Sequence, residues 1–157
     1  MANVPSKAQA NGAGTVVSIG GITGSTGTET FLPVGAITDA KFSGMKGAVT
    51  DVSTFAANVK RKLGTIVDYG TFTFTTLRVS NDPGQAACVA ACAAGSLYNF
   101  EIQLVPNTAA GQTATGDLIK LSGVVTEAGG FDLSLTKQAD ATVTIDIDGA
   151  WTITEGA

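Results

Sequence analysis

Residues 64–105 open with Gly64-Thr65-Ile66-Val67-Asp68-Tyr69-Gly70, continue through Thr71-Phe72-Thr73-Phe74-Thr75, and reach Asn81-Asp82-Pro83-Gly84. An alanine-rich run, 85–94, then Gly95, and the alternating run Leu97-Tyr98-Asn99-Phe100-Glu101-Ile102-Gln103-Leu104-Val105 complete the stretch. In a strand, successive side chains point to opposite faces, so Phe72 and Phe74 share one face against Thr71, Thr73 and Thr75. The apolar parity switches at Leu77 and Val79, which predicts a bulge or twist near Thr76. Asp82 can cap a helix, and Pro83 suits its first position because its φ is preset and its missing N–H has no partner to lose there. Gly95 supplies a left-handed stop. The helix expected over 83–94 has almost no polar face, so cover on more than one side is expected. Beyond it, Tyr98, Phe100, Ile102 and Leu104 face one way and Asn99, Glu101 and Gln103 the other. The stretch is thus a strand–helix–strand module that carries no recognisable chemistry.

Working outward, the C-terminal half repeats the period-two pattern. Ile119, Leu121 and Val125 form an inward face with a bulge expected at Gly123. Phe131, Leu133 and Leu135 alternate with Asp132, Ser134 and Thr136; Val143, Ile145 and Ile147 alternate with Thr142, Thr144, Asp146 and Asp148. Trp151 and Ile153 alternate with Thr152 and Thr154 after a turn at Asp148-Gly149. On the N-terminal side, a short strand is expected at 15–19. Strand pieces at 30–34 and 36–42 are broken by Pro33 and Gly35, which suits a sheet edge because proline cannot donate to a ladder. The expectation is a mainly β chain, a two-sheet antiparallel β-sandwich or partly open barrel with one flanking α-helix. Residues 1–14 read as a flexible N-terminal arm and 15–157 as a single domain. A long loop is expected at about 43–63. Val52, Phe55 and Val59 fall at roughly helical spacing there, among β-branched and small residues that make poor helix. A loop of that length inside a compact domain tends to be functional, so ordering on a partner is expected.

Composition narrows function mostly by exclusion. Of 157 residues only 14% are charged, and mean hydropathy is +0.27, high for a chain that never associates. A net charge of −4 and a pI near 4.6 oppose a grip on nucleic acid, which needs clustered Lys and Arg. The one basic cluster is Lys60-Arg61-Lys62, too short for a DNA-binding stripe and suited to an acidic neighbour such as another copy of this acidic chain. No histidine exists, which removes the commonest general base and the Ser-His and Cys-His nucleophile systems. Ser43 and Lys46 lie in the expected loop, not at a helix start, and make a poor catalytic pair. Cys88 and Cys92, four apart on a helix, share a face as small thiols; with no histidine and no further cysteine they complete no zinc site. Asp146 and Asp148 share a strand face without an aromatic platform for a sugar and without further ligands for calcium. Gly20-Gly21-Ile22-Thr23-Gly24 lacks the Lys and the βαβ setting of a phosphate loop. No 18-residue apolar run and no secretory leader pattern occur, so neither a membrane partner nor export is expected, and no cofactor or metal is expected.

Over about residues 30–155 the sequence resembles the major tail tube proteins of long-tailed bacteriophages. The resemblance rests on the order and spacing of several weak features. These are an opening strand like Thr30-Phe31-Leu32-Pro33-Val34-Gly35-Ala36-Ile37-Thr38-Asp39, a variable loop, and a turn like the 64–70 run. A Phe/Thr strand closing on Asn81-Asp82-Pro83, the helix, and a strand like 98–104 follow. The close is a strand like 121–126, a turn at Gly129-Gly130-Phe131, and a last strand pair ending near 149–152. The first 14 residues and the 43–63 loop match only in being variable. The resemblance implies a structural, non-catalytic virion subunit forming hexameric rings that stack into a tube, the conduit for genome delivery, assembled in the host bacterial cytoplasm. Implied partners are other copies, tape-measure and tail terminator or baseplate proteins, and DNA in transit only. On that reading Lys46, Phe55, Lys60, Arg61 and Lys62 are the candidate intersubunit loop. Glu101, Asp132, Asp146 and Asp148, with their row neighbours, are candidates to face the lumen. The competing class is a non-catalytic binding sandwich of adhesin or sugar-binding type, or another capsid-associated structural protein.

Overall fold

The structure, a computed structural model, describes residues 14–56, 58–136 and 138–157. The expected N-terminal arm, apart from Gly14, lies outside the described residues. In chain order the elements are β1 (Val16–Ile22), β2 (Leu32–Pro33), β3 (Ile37–Phe42), β4 (Lys46–Asp51), β5 (Lys62–Asp68) and β6 (Thr71–Leu77). Then come α1 (Pro83–Ala94), β7 (Leu97–Gln103), β8 (Leu118–Glu127), β9 (Asp140–Ile147) and β10 (Thr152–Thr154).

All pairings are antiparallel, as period-two runs joined by short turns require. The main sheet runs β2-β1-β7-β8-β9-β6-β3. β8 is the strand on which the sheet turns over. One edge pairs with β7 from Leu118 to Val124; the other pairs with β10 at 118–120 and with β9 at 123–127. The two halves of the sheet close on one core. Val17, Ile19, Phe100 and Ile102 from β1 and β7 belong to the same buried cluster as Phe72, Phe74, Val143 and Ile145 from β6 and β9. Each such side chain contributes on the order of 1.5–3 kcal/mol by leaving water. The barrel does not close. Among the described residues β3 pairs only with β6, and its open side faces β1 across a cleft of about 490 Å3 lined by Val17, Ile37, Phe42, Phe72, Ile102 and Ile119. The fold is therefore mainly β, a sandwich of antiparallel strands with one helix.

The helix begins and ends where its signals lie. The Asp82 carboxylate accepts from Gln85 N at 3.0 Å, Pro83 occupies the first turn, and Gly95 takes φ +66°. The same Asp82 oxygen accepts from Gly35 N at 3.1 Å. Buried Gln85 donates from Nε2 to Leu77 O at 2.8 Å and Gly35 O at 3.2 Å, and accepts from Val79 N at 3.2 Å. These bonds fasten α1 to the β2–β3 connection and the end of β6. α1 packs on β1, β2 and β8 through Cys88 and Ala91, but Val89 and the neighbouring alanines stay exposed. Among the described residues, cover on more than one side is thus absent, and a face of small apolar residues is left open.

Several local expectations need correction. Thr76 sits on the core face with Phe72 and Phe74, 1% exposed, and β6 pairs with β9 without interruption through Leu77. The irregularity expected near Thr76 lies on its other side, in the pairing with β3: Ile37 opposes Thr76 and Asp39 opposes Thr75, so the extra residue is Thr38 of the partner strand. Gly123 is not a bulge; it pairs with Tyr98 and Ile147, and a Cβ there would lie 2.5 Å from Asp146 O, so glycine permits close strand approach. The β8–β9 register shift comes later, between Val125 and Glu127. The 131–136 alternation forms no strand. It lies in the β8–β9 connection, and its one strand-type pairing among the described residues is the Asp132–Asp140 bridge. Finally, the segment expected as a loop at 43–63 contains all of β4 and the start of β5, and the 64–70 run expected as a turn is mostly β5.

Candidate assembly surface

β3–β4 and β5–β6 are two strands of one long hairpin, divided by a kink. Below the kink, β3 and β6 belong to the main sheet. Above it, among the described residues, β4 and β5 pair only with each other. The kink is held by a few bonds: Ser43 N donates to Thr71 O at 3.0 Å, and Thr71 N donates back to Ser43 Oγ at 2.8 Å. Asp68 accepts from Gly70 N at 2.8 Å. Gly44 and Gly70 take φ of +80° and +82°, the left-handed region where a side chain is strained. A Cβ on Gly70 would also meet Ser43 Oγ and Gly44 O, so the crossing admits only glycine. Trp151 packs near this crossing against Phe42 and Tyr69, with ring centroids 5.9 and 6.3 Å apart.

Every residue of β4 and β5 is exposed. Paired residues share a face. Val49, Gly47 and Val67 therefore lie on one side, and Ala48 and Leu63 on the other. Ile66 is 78% exposed and Phe55, at the tip, is fully exposed. An isolated two-stranded hairpin is marginal in water, and this one leaves apolar side chains exposed on both faces. Its tip has local order of its own. Ser53 N donates to Asp51 Oδ1, and Ser53 Oγ accepts from Arg61 N, both at 2.9 Å. The bonds from Ser53 hold the Asp51 carboxyl below the usual carboxylate range. Lys46, Phe55, Lys60, Arg61 and Lys62 all lie on this hairpin, exposed.

The carboxylates singled out in the sequence are not brought together. Glu101 lies on the outward face of β7 and pairs with Lys120 Nζ at 3.3 Å. Asp132 sits in the β8–β9 connection, bridged through its backbone to Asp140. Asp148 follows β9, with its N–H on Ser122 O at 2.8 Å. Asp146 alone joins a larger polar surface, the outward face of β9 and β6. Across it Asp146 opposes Thr71, Thr144 opposes Thr73 and Thr142 opposes Thr75, and β3 adds Lys41 opposite Thr73. The Thr71, Thr73 and Thr75 row was missed as a site, although its alternation with Phe72 and Phe74 was visible. Pairing with β9, which turns that row into a surface, is not written in either strand alone. Among the described residues no three metal-ligating side chains lie together, and no helix is long and apolar enough to cross a membrane.

This antiparallel sandwich with one helix shares its fold with chains of phage tail tubes and related particles. The sequence matches no protein-family model and no curated protein. The similarity is seen in solved structures. A chain from the tail of an empty GTA particle, computed with C6 symmetry, superposes with a TM-score of 0.63 at 15% identity, over 92% of this chain and 98% of that one. The SPP1 tail tube gives 0.62 at 13% identity, over 96% and 80%. The cap that terminates the anti-feeding prophage tube gives 0.65 at 13% identity, over 99% and 97%. At these identities the likeness is one of fold.

Proposed function

We propose that this chain is a structural, non-catalytic virion subunit that forms hexameric rings stacking into a tail tube, the conduit for genome delivery. The observation that carries the reading is the β4–β5 hairpin, exposed on both faces and apolar on both, on a fold shared with chains of assembled tails. Six copies placing their β3, β6 and β9 strands side by side would leave fewer free strand edges, which relieves the hazard of Thr- and Val-rich edges in solution. The Thr71–Asp146 face would then line the channel. Hydroxyls and carboxylates there hydrate or repel phosphates, so DNA passes without sticking. Tape-measure and tail terminator or baseplate proteins are the further partners, and the tail is the site of action after assembly in the host cytoplasm. Native mass spectrometry across a concentration series tests the reading. Hexamers and their multiples are expected; a chain that remains monomeric at millimolar concentration contradicts it. For the lining, Asp146→Lys should leave tubes intact but make them retain DNA. Intact tubes that remain indifferent to DNA would place that face outside.

A further inference from the structure

The outward face of β7 and β8 carries a cavity of about 300 Å3 that plays no part in the proposed assembly. Its floor is set by register. Glu101 opposes Lys120, and Lys120 opposes Thr152 of β10, so these three side chains form one row; Asn99 and Ser122 form the next. One wall is the 29–31 segment, which lies against β1 at Gly20. A Cβ on Gly20 would come 2.5 Å from Glu29 Oε1 and 2.7 Å from Phe31 Cε1, so the missing side chain is what lets this wall lie down on the sheet. Ala150 and Thr152 border the cavity on the β10 side. A polar frame fixes these groups. Asn99 Oδ1 accepts from Thr23 Oγ1 and from Ser122 Oγ, both at 2.8 Å. Asn99 Nδ2 donates to Glu29 Oε1 at 2.8 Å, and the same oxygen accepts from Gly21 N at 2.9 Å. Lys120 Nζ pairs with Glu101 Oε1 at 3.3 Å. Among the described residues, the second carboxylate oxygens of Glu29 and Glu101 and the Thr152 hydroxyl make no hydrogen bond.

We propose that this trough binds a neutral sugar ring. A sugar hydroxyl both donates and accepts, and the trough answers both needs: Glu29 and Glu101 accept, Lys120 donates, and Thr152 does either. Two carboxylates against one ammonium leave one negative charge, which disfavours phosphate and other anions, and Lys120 on the floor disfavours an organic cation. The half-buried Phe31 ring supplies an apolar wall for the C–H face of a pyranose. The volume is at the low end for small-molecule sites and suits one ring. The frame around Asn99 is already ordered in the free chain, so binding spends little on ordering it. Because the two halves of the sandwich close on one core, this face points away from the Thr71–Asp146 face. In the proposed tube it would lie on the exterior, but the site belongs to the single chain and does not rest on the tube reading.

Saturation-transfer NMR on the native chain tests the site, because it reads ligand leaving a protein of any assembly state. Glucose, galactose, mannose and N-acetylglucosamine are offered in turn, with inorganic phosphate as competitor. At least one sugar should take up saturation with a dissociation constant on the order of 1 mM, as expected for a single ring in an open site. Phosphate should not displace it. Glu101→Ala removes an acceptor from the floor, and Gly20→Ala lifts Glu29 and Phe31 off the sheet. Each should weaken binding about tenfold, and Glu101→Ala should leave the melting temperature unchanged. No saturation of any of the four sugars, displacement by phosphate, or undiminished binding in both variants overturns the proposal. Sugar binding by a chain that forms no rings upholds the site and overturns the tube reading; tubes that bind no sugar do the reverse.

Discussion

At the scale of single residues, Gly70 fixes the crossing to the hairpin, while Gln85 and Cys88 fix the helix on the body. Gly70 combines a φ of +82° with a backbone and a serine hydroxyl where a Cβ would go. Gly70→Ala should cost about 2 kcal/mol, a fall of ~4–8 °C in thermal midpoint for a chain of this size. Calorimetry checks it, and an unchanged midpoint would mean the kink is not a fixed crossing. Gln85 satisfies three backbone groups around the start of α1. Gln85→Ala leaves those groups unpaired, and urea denaturation should show a loss of about 2–4 kcal/mol. Burial, aided by the Asp82 charge, pushes the Cys88 thiol up to about 12. The unfolded thiol ionises near ~8.5, so the fold holds the proton more tightly. That contribution is complete below about pH 8.5 and is lost as pH rises towards 12. The stability gap between the native chain and Cys88→Ala should therefore narrow from pH 8 to pH 10.5; a gap that is constant or grows would contradict the burial argument.

At the scale of elements, the proposed assembly makes the hairpin the part of the chain whose state depends on company. Its amides in β4 and β5 should exchange within seconds in the monomer and become protected in the assembled state, while β6 and β9 amides are slow in both. Equal protection of β4 and β5 in the two states would remove the hairpin from the interface. The sequence made the elements around α1 legible because each has a local cause: Asp82 and Pro83 start the helix, Gly95 stops it, and Phe72 and Phe74 mark the buried face of β6. It failed where the cause lies elsewhere. Among the described residues β4 and β5 bury nothing, so Val49 and Leu63 read as part of a loop, and Ile66 and Val67 as part of a turn. Conversely, Phe131, Leu133 and Leu135 alternate as a buried strand would, but the apolar face they imply has no partner among the described residues. The basic triplet was found from composition, whereas the Thr71–Asp146 surface needed the register of β6 on β9.

At the scale of the whole molecule, charge is unevenly placed. The net charge is −4, yet the hairpin is basic, so the remainder is more acidic than the total shows. Copies should attract end to end and repel side-on approach of other anions. Lys60→Glu with Arg61→Glu and Lys62→Glu should raise the concentration needed for stacking, because like charges would then meet. It should leave the melting temperature unchanged, since these side chains are exposed. The native contact should also weaken as salt shortens the screening length from about 10 Å at 0.1 M to about 3 Å at 1 M. Sedimentation at several ionic strengths reads both effects; stacking insensitive to salt and to the reversal would take charge out of the contact. The account stands most directly on electron microscopy of the concentrated native chain beside a variant in which residues 44–69 are replaced by a tight turn. The account predicts tubes of uniform diameter with six-fold end views for the native chain, and a folded variant that never stacks. Dispersed native monomers at every concentration, or tubes that form equally well without the hairpin, would contradict it.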